Sequence, residues 1–389
     1  MESLKICLVT GQYPPQIGGV GHSAKRVARL LAEAGHTIHV VAFLKHPKPL
    51  PFDESFNTTK EDGITVHRVR VYHPPGPANA EVLTRYNREM FQALDYFYQR
   101  HRYHLFHAFF LYPAAYIAGM VGKLHALPVI ASIRGNDVGK YIFDPLRVHF
   151  IRTALENATY VTSVSTNLIE IADRTLVPVQ HKAKTILNSI DVEQLRPVKT
   201  PALQLKGTVI GTAGLFRYKK GLVYLFKALS TLKSEFDFTL LLVGDFFSAE
   251  ERQQHMNMLE RLQLLSNTVI TGKIQQEKMA DYLQFIDIAV FPSLYSEGCP
   301  LSMLETMAMK KAIIASKSGA IPEIIRDGYN GLLVYPGQAE EISAALRKLL
   351  MDPELRRYLA ENAWHTARQM TPQKERAAWL SAYQECLFR

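Results

Sequence analysis

The sequence predicts an α/β protein built from two doubly wound domains in tandem. Three observations carry that expectation. Apolar strand-like runs alternate with amphipathic helix-like runs along the whole chain, the pattern of parallel sheets covered by helices. The 389 residues suffice for two or three domains, each able to bury a full core. The alternation breaks at 188–207, "NSIDVEQLRPVKTPALQLKG", a polar, proline-punctuated stretch without regular period that reads as a linker.

In the first half, strands are expected at Lys5–Thr10, His39–Phe43, Leu105–Phe109, Val129–Ile133 and Tyr160–Ser163. A helix is expected at Ser23–Ala34, and another from the proline-rich break at 73–81 to about Arg102. The run Leu105–Val121, "LFHAFFLYPAAYIAGMV", has no Asp, Glu, Lys or Arg and stands near the lower length limit for a membrane span. Pro113 divides it, so a buried strand, loop and helix is the better reading. The second half starts afresh, with strands at Thr208–Thr212, Thr239–Val243, Thr268–Thr271, Ile288–Phe291, Ala312–Ala315 and Gly331–Val334. From Asp352 the chain reads as helix, and Pro372 allows the last segment to change direction. The expected division is 1–195, 196–370 and a final helix 371–389 packing back on the first domain. Two such domains would leave a cleft between their carboxyl-edge loops, where ligands of doubly wound sheets bind.

Hydrophobic content of 47% and charged content of 21% describe an ordinary globular chain. The formal charge is +9, shared as +5 over residues 1–195 and +4 over the rest, so no basic tail exists. That excess suits anionic ligands; without a recognisable nucleic-acid motif it gives no case for nucleic acid. Cys7, Cys299 and Cys386 lie far apart and form no CxxC pair, which favours a reducing compartment. The start "MESLKICLVTG" lacks the features of a signal peptide, so a cytoplasmic location is expected. The aromatic and basic segment 85–104 could rest on an anionic lipid surface, although a packed helix with a wet basic face is the plainer reading.

The chemistry concentrates in "SLYSEGCPLSMLETMAMKKAIIASKSGAIPEII", 293–325. Pro300 suits the first position of a helix whose free amides at Leu301 and Ser302 would face an anion. Glu297 precedes that helix and Glu305 lies in its second turn. Both carboxylates can accept from sugar or ribose hydroxyls, and a hydrogen bond to a charged acceptor contributes about 1.5–3 kcal/mol. In "TAGLFRYKKG", 212–221, a strand runs into a loop that presents Arg217 and Lys220 where cations could meet a diphosphate, with Lys219 competing for the lysine role. Gly18, Gly19 and Gly21 precede a helix but do not form the G-x-G-x-x-G fingerprint, which disfavours a dinucleotide oxidoreductase.

"EGCPLSMLE" resembles the E-G-x-P-x-x-x-x-E motif of retaining glycosyltransferases of family 4, which have the GT-B fold, and "ASKSGAIPEIIRDGYNGLLV", 315–334, continues the same pattern. The resemblance spans nearly the whole chain. It implies two Rossmann-like domains and a nucleotide-sugar donor, with Glu297 contacting the donor sugar and Glu305 the ribose. Arg217 and Lys220 would hold the diphosphate with the helix N-terminus at Leu301 and Ser302, Gly298 and Pro300 would line the nucleotide-sugar site, and Ile274 would touch the base through its backbone. Gly19 and Gly21 would face the donor from the first domain. Many relatives have a histidine where Arg134 stands, and this sequence departs there. The candidate catalytic residues are then Glu297, His107 and Arg134, with Asn136 and Asp137 on the acceptor side; His107, on a buried strand, reads equally as a core histidine.

These implications amount to a metal-independent, retaining transferase that moves a hexose from a nucleotide-diphosphate sugar, UDP favoured over GDP, to a hydroxyl acceptor. Front-face attack is implied, with the departing phosphate oxygen taking the acceptor's proton. No cofactor is expected. His101, His104 and His107 are not expected to converge on a metal, because Leu105–Phe109 reads as strand, and no Asp-x-Asp pattern occurs. The rival readings are a sugar-nucleotide epimerase, a glycogen-phosphorylase-like enzyme, and a nucleotide-sugar-binding protein without turnover.

Overall fold

The computed structural model describes residues 3–16, 18–76, 79–295 and 297–389, and the chain forms two units. Unit 1 comprises residues 1–188 together with 373–389, and unit 2 comprises 189–372.

Unit 1 carries an eight-stranded sheet: β1 (Lys5–Thr10), β2 (Thr37–His46), β3 (Phe56–Glu61), β4 (Ile64–Tyr72), β5 (Leu105–Phe109), β6 (Val129–Ile133), β7 (Tyr160–Ser163) and β8 (Ala183–Thr185). Their order is β3-β4-β2-β1-β5-β6-β7-β8. The pairings are parallel except β3 with β4. The runs in β1, β5 and β6 are apolar because both faces are covered; Ile6 through Thr10, Leu105 through Phe109 and Val129 through Ile133 are all buried. The β3–β4 hairpin turns on Asp62 and Gly63, both at positive φ (52° and 80°), the geometry that two-residue hairpin turns need. The opening helix, Gly19–Glu33, starts four residues earlier than the sequence suggests.

The last helix, Pro372–Leu387, belongs to unit 1. It places Trp379, Ala382, Tyr383 and Cys386 in one apolar cluster with Ile6, Leu8, Phe109 and Ile130. Full burial of each large apolar side chain contributes about 1.5–3 kcal/mol. The boundary near 195 moves to 188/189, because the Asn188 carboxamide is fixed inside unit 1, accepting from Arg26 Nη2 at 2.7 Å.

Unit 2 carries six parallel strands: β9 (Thr208–Phe216), β10 (Phe238–Phe246), β11 (Thr268–Ile270), β12 (Ile288–Phe291), β13 (Ala312–Ser316) and β14 (Leu332–Val334). Their order is β11-β10-β9-β12-β13-β14. Its core packs Ile210, Leu240, Leu242, Ile288, Val290 and Ile314 against helices on the sheet's faces. In each sheet the winding reverses direction beside the first strand, between β1 and β5 and between β9 and β12. The loops at the carboxyl ends of such a pair splay apart, and ligands of doubly wound sheets bind there.

Leu105–Val121 divides as expected, into β5, a turn at Leu111–Ala115 and a helix starting at Tyr116. Among the described residues no helix is long and apolar enough to cross a membrane.

Candidate active site

In unit 2 the sequence motifs meet at the β9–β12 reversal. β9 ends at Phe216 and delivers Arg217, Lys219 and Lys220; β12 ends at Phe291 and delivers Ser293, Glu297 and the helix Leu301–Ala308. The Leu294 amide donates to the Lys219 carbonyl at 2.8 Å, tying the two loops together.

Glu297 is buried, which an ionised carboxylate tolerates only with partners. Lys219 Nζ and Lys220 Nζ each lie 3.3 Å from its Oε1, and Ser293 Oγ donates to the same oxygen at 3.5 Å. Burial pushes the Glu297 carboxyl up, but Lys220 and then Lys219 outweigh it and hold the group below its ordinary range. Burial lowers the Lys219 ammonium, with Glu297 pulling the other way. Both lysines therefore belong to the cluster around Glu297. Arg217 lies with its guanidinium 4.0 Å from the centroid of the Phe247 ring.

The backbone of Glu297 is held from the other side by the loop after β13. The Ala320 amide donates to the Glu297 carbonyl at 3.1 Å, and Gly319 (φ +56°) lies so close that a Cβ there would sit 1.8 Å from that carbonyl oxygen. Gly319 is a residue of the 293–325 stretch that no sequence pattern singles out. Ser316 is another, with a buried hydroxyl that has no hydrogen-bond partner among the described residues. Only coordinates reveal either one, since the signal is spatial.

Pro300 caps the helix Leu301–Ala308 rather than starting it. It has no side-chain acceptor to offer, so the amides of Leu301 and Ser302 face out ahead of the helix, with the positive end of its dipole. Across from Ser302, Gly214 stands at the β9 edge, where even an added Cβ would stay 3.9 Å from Ser302 Oγ. Glu305 is buried one turn further in, and its Oε1 accepts from Gln276 Nε2. Gln276 follows Ile274 in the loop after β11, so this contact ties that loop to Glu305. Gly298 and Ile274 are partly exposed on these loops. The arrangement offers cations, free amides and two buried carboxylates around one sheet edge.

Unit 1 changes the reading of its candidates. His107 is wholly buried; its Nδ1 pairs with the Tyr383 hydroxyl at 2.6 Å and its Nε2 with the Ser132 hydroxyl at 2.8 Å. Burial, with Arg134 as a lesser influence, drives its basicity well below the ordinary histidine range. It is a core histidine, and a catalytic role is withdrawn. Asp137 is also wholly buried, accepting from the amides of Gly135 (2.8 Å), Arg134 (3.0 and 3.1 Å), Val138 (3.2 Å) and Leu111 (3.4 Å). It shapes the turn after β6 and leaves no face for an acceptor; Asn136 is half-buried beside it.

The Arg134 guanidinium turns inward. It donates to Ser23 Oγ and, at 3.1 Å, to Asn188 Oδ1, and it rests 5.3 Å from the Phe109 ring centroid. Arg26 joins the same Asn188 and Ser23 and makes a bidentate pair with Glu375 (2.9 and 3.1 Å). The departure at residue 134 therefore serves an internal network, in place of the expected catalytic contact. Gly21 is packed under the backbone of Gln12 and Tyr13, 3.2 to 3.3 Å from a Cβ built there, so it fixes the loop after β1. Gly19, where an added Cβ meets nothing within 4 Å, stays open.

Comparison with known proteins bears on this architecture. Residues 198–366 match the family model for glycosyl transferases group 1, and residues 18–186 match that for the glycosyl transferase 4-like domain. The chain is 26% identical over 362 residues to N-acetyl-alpha-D-glucosaminyl L-malate synthase of Bacillus anthracis, covering 90% of this chain and 89% of that one. Among solved structures, sucrose-phosphate synthase from Thermosynechococcus elongatus superposes with a TM-score of 0.78 at 20% identity, over 98% of both chains. HepE from Anabaena, in complex with UDP-glucose, superposes at 0.75 and 18% identity, over 97% of this chain and 100% of that one. Two matched models that together span both units, and full-length GT-B neighbours, place the chain in the glycosyl transferases group 1 family, as a family 4-like glycosyltransferase with the GT-B fold.

Proposed function

We propose that this glycosyltransferase transfers a hexose from a UDP-sugar to a hydroxyl acceptor with retention at the anomeric carbon. The observation that carries the reading is the convergence at the β9–β12 reversal of Arg217, Lys219 and Lys220, the open helix terminus at Leu301 and Ser302, and the buried acids Glu297 and Glu305. The UDP-glucose in HepE supports a nucleotide-sugar donor, and the N-acetyl-alpha-D-glucosaminyl group in the name of the Bacillus anthracis relative supports a hexose as the sugar.

The chemistry follows from charge. Breaking the bond between the anomeric carbon and the phosphate oxygen leaves positive charge on the sugar and negative charge on the diphosphate. Lysine and arginine cations and helix amides stabilise the second charge most when they are fixed in place beforehand. The acceptor oxygen attacks the face the leaving group departs from, and the departing phosphate oxygen takes the acceptor's proton. The products are the free nucleoside diphosphate and a glycoside of unchanged anomeric configuration. Glu297 accepts from the donor sugar's hydroxyls and Glu305 from the ribose, while Leu301 and Ser302 donate to the phosphate.

The test is a panel of UDP-, GDP- and ADP-sugars assayed for free nucleotide, with NMR of the product's anomeric centre. Release of UDP from one sugar, retained configuration, and at least about a hundredfold loss of turnover in a folded Glu297→Ala variant are expected. Wild-type turnover in that variant would remove Glu297 from the site, and an inverted product would remove the front-face mechanism.

A further inference from the structure

The amino-terminal ends of the unit 1 strands gather three histidines from three elements that are distant in sequence. His39 is the third residue of β2, His67 the fourth of β4, and His101 ends the helix Ala80–His101. One ring nitrogen from each lies within 4.8 Å of the other two, and His39 Nδ1 and His67 Nε2 are 3.0 Å apart. Ring centroids are separated by 5.3 Å (His39–His67), 4.5 Å (His39–His101) and 5.2 Å (His67–His101).

A tetrahedral metal with nitrogen ligands at about 2.0–2.1 Å sets nitrogen pairs about 3.4 Å apart. The His39–His67 pair, at 3.0 Å, stands near that spacing, and the His101 nitrogen lies within 4.8 Å of both. We propose that His39, His67 and His101 bind one divalent transition-metal cation of the zinc type, which ties β2, β4 and the helix end together as a structural clamp.

Four further features support the assignment. Imidazole suits zinc, nickel and copper, and the set is uncharged when neutral. The Thr58 hydroxyl pairs with His67 Nδ1 at 2.8 Å, leaving Nε2 for the cluster; hydrogen bonds of that kind orient metal-bound histidines. The Tyr103 hydroxyl lies 3.4 Å from His39 Nδ1 and brings an oxygen to the edge of the cluster. His101 is half-buried, which gives an ion a way in from solvent. Arg100 and Lys5 are the opposing charges nearby; the Lys5 ammonium is engaged on the His101 carbonyl at 2.8 Å. The plainer alternative is three neutral imidazoles satisfied by one another and by Thr58 and Tyr103.

The experiment uses the untagged full-length chain, stripped with a chelator and titrated with Co²⁺, then with Zn²⁺. One equivalent of Co²⁺ should bind with visible ligand-field bands that Zn²⁺ displaces. At a hundredfold excess over Kd, Zn²⁺ should raise the melting temperature by roughly 5–10 °C. His101→Gln, at the helix end, should abolish the bands. Thr58→Val, which removes no ligand, should weaken binding about tenfold and decides the matter if His101→Gln does not fold. Absence of saturable Co²⁺ uptake by the wild type, or uptake unchanged in a folded variant, would overturn the proposal in favour of the bonded imidazoles. Transfer activity plays no part in these readouts, so they are independent of the donor reading.

Discussion

Gly319→Ala is the sharpest single test of how the site is held. The added methyl would sit 1.8 Å from the Glu297 carbonyl oxygen and 2.8 Å from the Glu297 nitrogen and carbonyl carbon. Real Cβ contacts almost never fall under 3.0 Å, so the carbonyl must retreat by at least 1.2 Å. Alanine at positive φ adds roughly 1–2 kcal/mol, and the strained Ala320–Glu297 hydrogen bond about 1 kcal/mol. A loss of about 2–3 kcal/mol in unit 2 lowers the melting temperature by roughly 4–12 °C for a domain of this size. The larger effect falls on chemistry, where a misplacement of about 1 Å can reduce turnover a hundredfold. Steady-state nucleotide release, measured below the new melting point, separates the two. A variant that melts early yet turns over at the wild-type rate would show that the position of Glu297 does not govern transfer.

Glu305→Ala should raise the Kd for UDP about tenfold or more and erase the preference for UDP over 2′- and 3′-deoxy-UDP, read by calorimetry, because the ribose hydroxyls lose a charged acceptor; retained discrimination would place the ribose elsewhere. The Glu297 carboxyl, raised by burial but lowered further by Lys220 and Lys219, is held below the ordinary glutamate value of 4.5 in the folded state. A depressed folded value contributes stability above the unfolded value, and that stability disappears as pH falls through the folded value. The melting-temperature gap between wild type and Glu297→Gln should therefore shrink as pH drops below about 4.5; a gap constant from neutrality to pH 3 would contradict the ion cluster.

The unit 2 site was legible because its parts are local. Glu297, Pro300 and Glu305 lie within nine residues, and Arg217 to Lys220 follow a strand directly, so a run of letters and the sheet rule place them at one edge. What holds them was not legible. Gly319 buttresses Glu297 through a backbone approach that no pattern of residue types announces. In unit 1 the partners are remote. His107 is satisfied by Tyr383, 276 positions away, and Arg134 by Ser23, 111 positions away. A histidine triplet at 101, 104 and 107 drew attention because of its spacing, yet only His101 joins the cluster that forms, with His39 and His67. Strand β3 carries no signal in the sequence because "FNTTKE" lies largely exposed and alternates no apolar residues.

The contribution of Trp379, Ala382, Tyr383 and Cys386 to the first sheet's core has a consequence for birth on the ribosome. The segment 189–372 is continuous and can finish folding as it emerges, whereas the earlier-made strands must wait for residues near 386. At about 5–20 residues per second, that delay lasts on the order of 10–40 s, during which Ile6, Phe109 and their neighbours lack their covering helix. The half synthesised first is thus the half completed last, and nascent-chain chaperones have their natural target there.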